Sequence, residues 1–265
     1  MQILICTHGR HDRQITYQNL PRELKERVVF VIQESEVPFW ASKWLEHNFL
    51  VLPDHIKDLP STREWLQHNT GPKICMMDDD LVFSTRRADE PTKFREPRAG
   101  DLVAMFEEME RMLDLHAHVG VSHREGANRR TEPYIKVSRM MRVLAYRTDI
   151  VRAEGVISNR TPDVEDFDVT LQLLRKGYPN CILNGWVHNQ GGSDQTGGVS
   201  GYRTPETHDR DVRIFAAAHQ PFVKVVKKKT KDKWCADENG ERTDVIIQWK
   251  KCFNAAEEVK NVKPI

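Results

Sequence analysis

Three adjacent carboxylates, Asp78-Asp79-Asp80, stand between the apolar runs Ile74-Cys75-Met76-Met77 and Leu81-Val82-Phe83. Like charges this close repel one another, and a hard divalent cation with oxygen ligands relieves that repulsion. Strand alternation puts Asp78 and Asp80 on one face. A bare Asp triplet is more often a solvated turn. The apolar sequence on both sides turns the balance toward a metal site at a strand end, where open α/β sheets place their ligands. A second acidic cluster, Val164-Glu165-Asp166-Phe167-Asp168, opens a helical pattern whose apolar face carries Phe167, Leu171 and Leu174. Acids in a first helical turn complement the helix dipole, worth ~0.3–1 kcal/mol. That explains them by itself, but a carboxylate held there is also placed to act as a general base. His188 closes the apolar stretch Cys181 to Val187. A lone histidine is more often structural than a ligand, yet a neutral imidazole at a strand end suits Mn²⁺ or a similar ion.

The elements that must position these groups follow from periodicity. Gln2–Cys6, Val28–Ile32, Phe49–Leu52 and Lys73–Met77 read as strands, the second apolar enough to be buried on both faces. Ser61-Thr62-Arg63-Glu64 has capping-box spacing for a helix reaching His68. Leu81–Phe83 is a short apolar run, and 84–97 reads as a charged, proline-containing loop. Asp101–Leu115 and Val164–Lys176 have helical periodicity. His118–Val121, Tyr134–Tyr146 and Cys181–Val187 read as strands, with a basic loop at Arg124–Arg130. Gly191–Gly201 carries five glycines and reads as a mobile loop. Thr204–His219 is predicted helical, and a lysine-rich tail, Lys224–Lys233, follows. Strands alternating with helices predict an α/β fold with a mostly parallel central sheet and helices on both faces. The expected organisation is a single domain over 1–265, in three stretches of about 1–85, 86–203 and 204–265, the last a helix and basic tail.

Composition bounds the rest. The 265 residues carry a net charge of +1, so a generally basic nucleic-acid surface is excluded and only local patches remain. No apolar run approaches the ~20 residues of a membrane span, and the N-terminal apolar stretch is too brief for a signal-peptide core. Five scattered cysteines without CxxC fit reduced thiols in a cytoplasm, not a disulfide framework or zinc site. The sequence has no GxxxxGK, GxGxxG or HExxH, and Gly198-Val199-Ser200-Gly201 misses GxSxG spacing, which weighs against P-loop, dinucleotide, zinc-protease and serine-hydrolase chemistry.

In this order the three features resemble the GT-A nucleotide-sugar glycosyltransferases. Asp78-Asp79-Asp80 is similar to their DxD motif, Val164-Glu165-Asp166 to the xED motif of inverting members, and His188 to their late histidine. A narrower resemblance is to the phage TET-associated glycosyltransferases, which modify hydroxymethylated pyrimidines in DNA. It is carried by Ser61-Thr62-Arg63-Glu64-Trp65, by Met76–Phe83, and by His188 followed by Gly191-Gly192. The resemblance implies a UDP-sugar donor held by Thr7, His8, Arg10, Gln33, Arg63, Asp78 and Asp79. It implies Mn²⁺ or Mg²⁺ on Asp78, Asp80 and His188, with Asp166 as the base. The implied acceptor is 5-hydroxymethylcytosine or a related base in phage DNA, in a host cytoplasm. Arg124, Arg129, Arg130, Lys227, Lys228 and Lys229 are the candidates to track its phosphates. No membrane or obligate protein partner is implied. A saccharide acceptor is the alternative within this chemistry; a Mg²⁺-dependent nuclease and a non-catalytic DNA-binding module are alternatives outside it.

Overall fold

The computed structural model describes residues 1–44, 46–190, 203–232 and 234–261. The expected Gly191–Gly201 loop and Lys233 lie outside the described residues. In chain order the elements are β1 (Gln2–Cys6), α1 (Ile15–Asn19), α2 (Arg22–Lys25), β2 (Val28–Gln33), α3 (Val37–Trp44) and β3 (Asn48–Leu52). Then come α4 (Leu59–Asn69), β4 (Lys73–Asp78), β5 (Leu81–Arg86), β6 (Phe94–Arg95), α5 (Ala99–Met112), β7 (His118–His123), β8 (Tyr134–Lys136) and β9 (Val143–Arg147). The chain continues with α6 (Thr148–Ala153), α7 (Glu165–Arg175), β10 (Cys181–Gln190), α8 (Pro205–Ala218), β11 (Val223–Lys229), β12 (Glu241–Ile247) and α9 (Trp249–Asn261).

The central sheet has the order β3-β2-β1-β4-β9-β7-β10-β5-β6, with β8 on β10. Its first four strands are parallel, as βαβ connections require. β9 enters antiparallel between β4 and β7, while β7 and β10 are again parallel. Both faces are covered, which is why these strands are apolar throughout rather than alternating. Ile3, Ile5, Phe30, Ile32, Cys75 and Met77 pack with Met105, Phe106 and Met109 of α5 on one side. Leu4, Val31, Ile74 and Met76 pack with Leu66 of α4 and Val169 and Leu173 of α7 on the other. The five cysteines are buried and unbridged.

Four local expectations change. The helix α4 begins two residues before the predicted cap: Asp58 accepts from Ser61 N (2.7 Å), and Pro60 occupies the first turn, where its missing N–H costs nothing. The predicted strand 134–146 is two strands, β8 and β9, broken by left-handed backbone at Val137 and Arg142. The expected loop 84–97 is partly sheet, because β5 runs on to Arg86 and pairs with β6. The lysine-rich tail is strand β11, paired antiparallel with β12. That hairpin packs with α7, α8 and α9 in a small core of its own around Leu171, Leu174, Val212, Phe215 and Cys252.

Candidate active site

The parallel order sets the carboxyl ends of β1, β2 and β4 side by side, and a cavity of about 570 Å³ opens there. Thr7, His8, Arg10, Gln33, Arg63, Asp78, Asp79 and Asp80 line it from the parallel half. Glu165, Asp166 and Phe167, at the start of α7, also line it.

The acid triplet is held by its own backbone. Thr16 Oγ1 donates to Asp78 O (2.6 Å) and accepts from Leu81 N (2.8 Å), while Asp79 O accepts from Thr16 N. The three side chains then take different partners. Asp79 is only 3% exposed and is engaged at both oxygens, by Thr7 Oγ1 (2.6 Å) and Arg10 Nη1 (2.6 Å). Asp78 Oδ1 accepts from Arg63 Nη2 (3.0 Å). Burial pushes the Asp78 carboxyl up to about 6, against the pull of Arg63. Asp80 accepts from Arg10 at Oδ2 (3.3 Å), and its buried Oδ1 has no hydrogen-bond partner among the described residues.

Arg63 joins the two halves. It bonds Asp78 from β4 and Glu165 from α7, across 102 residues of sequence. Burial opposes its charge, but Glu165 and Asp78 outweigh burial and raise its pKa. Burial likewise raises Glu165 and Asp166, although Arg63 and Arg139 respectively favour their ionised forms. Asp166 is partly buried in the cavity wall and accepts from Phe167 N through Oδ1 (2.8 Å), leaving Oδ2 for a ligand. Asp168, two residues on, faces away: it is fully buried against Arg160, His219 and Gln172.

His188 pairs opposite Phe83 and is fully buried, outside the cavity lining. Burial, helped by Arg142 and His123, lowers its pKa to about 3, so the ring is neutral. Neither ring nitrogen has a partner among the described residues, and the ring packs edge-on against His123. Asp78, Asp80 and His188 thus do not converge as the sequence implied. Among the described residues no three His, Cys, Asp or Glu side chains form a metal-holding group.

The basic residues divide. Arg124 stacks over Phe94, 4.5 Å from its ring centre, and Arg129 and Arg130 are exposed; none of the three lines the cavity. Lys227, Lys228 and Lys229 face Asp237, Asp244 and Glu241 at 3.1, 3.1 and 3.3 Å, and of these only Lys228 lines the cavity. The sequence reading missed Arg139, Arg142, Asp163, Arg203, His208 and Arg242, all of which line it. One signal was available: a thirteen-residue strand is long against the usual five or six, so charges at 136, 139 and 142 already argued for a break.

No helix among the described residues is long and apolar enough to cross a membrane. No curated protein matches this sequence. Among solved structures, the mannosyltransferase PcManGT from Pyrobaculum calidifontis in complex with GDP-Man and Mn²⁺ aligns with TM-score 0.48 and 13% identity. The alignment covers 82% of this chain, which spans only 63% of the mannosyltransferase. A CMP:2-keto-3-deoxy-manno-octonic acid synthetase complexed with CTP aligns at 0.41 and 14%, over 68% of this chain and 88% of that one. A putative glucose-1-phosphate thymidylyltransferase from Bacillus anthracis aligns at 0.41 and 10%, over 70% and 88%. The family model of the TET-associated glycosyltransferases matches residues 1–198, a span that includes the acid triplet, Arg63, the start of α7 and His188. With that match over most of its length, from β1 past the end of β10, the chain belongs to the TET-associated glycosyltransferases.

Proposed function

We propose that the cavity binds a UDP-sugar and transfers its sugar, with inversion, to the hydroxyl of a 5-hydroxymethylpyrimidine, 5-hydroxymethylcytosine, in phage DNA. The observation that carries this reading is that Asp78, Asp80 and Asp166 line one cavity. Thr7, His8 and Gln33 line the donor side, while Arg10 and Arg63 brace the carboxylates they bond. Asp79 has both oxygens engaged, so it orders Thr7 and Arg10 rather than the sugar-nucleotide.

The donor set fits a hard cation in one respect. Asp80 Oδ1 is an unpartnered buried acceptor beside Asp78, and Mg²⁺ commonly takes one or two carboxylates plus substrate phosphates rather than a full protein cage. Asp78 and Asp80 would hold it without His188, which lies outside the cavity lining. Such an ion supplies Lewis-acid stabilisation of the departing diphosphate.

Asp166 does the proton work. As the acceptor oxygen attacks the anomeric carbon, its proton passes to the free Asp166 oxygen. The bond from that carbon to the diphosphate oxygen breaks, and its electrons leave with the nucleoside diphosphate. Burial, by raising the Asp166 pKa, makes it a stronger base than a solvated aspartate. In-line attack inverts the anomeric centre.

For the acceptor, the support is the family resemblance together with Lys228 at the cavity and the exposed Arg129 and Arg130 beyond it. The test is mass spectrometry of hydroxymethylcytosine DNA incubated with the protein and a panel of UDP-sugars. A hexose mass added only to hydroxymethylated DNA is the expected result. Transfer to a saccharide alone would replace the acceptor and keep the donor chemistry.

A further inference from the structure

Six arginines line the cavity: Arg10, Arg63, Arg139, Arg142, Arg203 and Arg242. Four are committed to carboxylates: Arg10 to Asp79 and Asp80, Arg63 to Asp78 and Glu165, Arg203 to Asp163, and Arg242 to Asp244. Arg139 and Arg142 form no ion pair among the described residues. Arg139 lies over the Phe167 ring, 4.7 Å from its centre. The buried Nη1 of Arg142 has no hydrogen-bond partner among the described residues.

These two arginines are built in, not adrift. They sit on the short connection between β8 and β9, which takes left-handed backbone at both ends: φ is 54° at Val137 and 62° at Arg142. A β-branched valine is rarely found there, and such strain persists only where the surroundings over-determine it. The surroundings do so at each step. Asn180, fully buried, accepts from Ser138 N (3.0 Å) and donates to Ser138 O (2.7 Å). Met140 is buried in the space left by Gly120, where an added Cβ would stand 2.4 Å from Met140 Cγ. Arg142 O accepts from Asp78 N (3.2 Å), tying the end of the connection to the acid triplet.

Two like charges, Arg142 half-buried and Arg139 exposed, are kept near each other on a strained connection without an ion pair among the described residues, although eight carboxylates line the same cavity. Burial lowers the Arg142 pKa, and Arg139 adds to that, against the pull of Asp78. A guanidinium withheld from protein carboxylates is available to an anionic ligand, and its planar fork matches phosphate oxygens.

We propose that residues 137–142 form a diphosphate clamp, in which Arg139 and Arg142 hold the donor's diphosphate and the departing nucleoside diphosphate. The inference rests on the nucleotide-sugar reading above and adds its phosphate-binding residues. Asp78 and Asp80 line the same cavity as the clamp. When the bond from the anomeric carbon breaks, the diphosphate oxygen gains charge, and fixed guanidiniums favour that state without reorganising.

The test is calorimetric titration of pyrophosphate, UDP and uridine, with EDTA present so that only the protein's own cations act. It compares wild type with Arg139→Met, Arg142→Met and Arg142→Lys. Wild type binds pyrophosphate and UDP. Each Met variant weakens both by roughly 10- to 100-fold, the scale of hydrogen bonds to charged groups, and leaves uridine unchanged. Arg142→Lys recovers part of the loss. Thermal melts confirm folding, and Arg139→Met alone carries the test if Arg142→Met does not fold. Unchanged pyrophosphate affinity in a folded Met variant overturns the clamp while leaving the donor reading intact. Failure of the donor reading looks different: pyrophosphate binding depends on both arginines, but uridine does not bind and no UDP-sugar is consumed.

Discussion

Asp166 and Asp168 lie two residues apart on one helix, the first lining the cavity and the second fully buried away from it, so replacing each by asparagine separates the proposed catalysis from stability. Asp166→Asn keeps an oxygen to accept from Phe167 N and removes a charge that burial disfavours, so the fold should survive. What it loses is proton acceptance, worth 10²–10⁴ in rate for general bases, or roughly 3–5 kcal/mol of barrier. Asp168→Asn breaks a fully buried carboxylate's contacts with Arg160, His219 and Gln172. Removing one member of a buried pair costs ~3–5 kcal/mol. Arg160 is 33% exposed and can rehydrate, which favours the lower end. At 2–4 °C per kcal/mol for a chain of this size, the melting temperature should fall by roughly 6–12 °C. Single-turnover transfer rates and thermal melts on the same preparations read both effects. Asp166→Asn should be slow and stable, Asp168→Asn less stable with a nearly normal rate where folded. The raised Asp166 pKa also puts the acid limb of the kcat/KM profile above the usual aspartate range. The base form grows as pH rises through that limb, and the Asn variant should lack it. A slow, fully stable Asp168→Asn beside a normally active Asp166→Asn would refute the assignment.

Chelation should abolish transfer and Mn²⁺ or Mg²⁺ restore it, with Asp80→Asn weakening metal and donor binding together; full transfer by protein shown to be metal-free by elemental analysis would end the metal reading. DNA binding should weaken with salt at a log–log slope of about −0.9 per phosphate contact. Replacing Lys227, Lys228 and Lys229 by alanine should flatten that slope by less than three contacts' worth, because each ammonium already faces a carboxylate; an unchanged slope would remove the hairpin from the DNA path. His118 is fully buried, and burial lowers its pKa from 6.5 to about 4 despite its bond to Tyr178 O. Between those values the unfolded chain binds the extra proton, so stability is lost as pH falls from 6.5 to 4, by about 3 kcal/mol in all. His118→Phe should lower stability overall but flatten the melting temperature across that window, and an equally steep pH dependence in the variant would contradict this account.

Much of the donor half was legible in local sequence. β1, β2, β3 and β4 are short apolar runs between polar helices, and periodicity alone placed them within a residue or two. The acid triplet at a strand end and the acids opening α7 could also be read locally, because strand alternation and helix dipoles act over a few residues. What local pattern could not supply was partner choice. Asp79 differs from Asp80 because Thr7 reaches it and Arg10 stands closer to it, at 2.6 Å against 3.3 Å. Arg63 selects Glu165 from 102 residues away because α4 and α7 pack on the same face of the sheet. His188 is carried into the sheet by pairing with β5, away from the cavity lining. Arg139 and Arg142 reach the cavity only because buried Asn180, Met140 and Gly120 force left-handed backbone where the sequence reads as one strand. Composition and periodicity determine which residues are apolar, charged or able to turn; which charges meet depends on strand order and register, set by the packing of the whole chain.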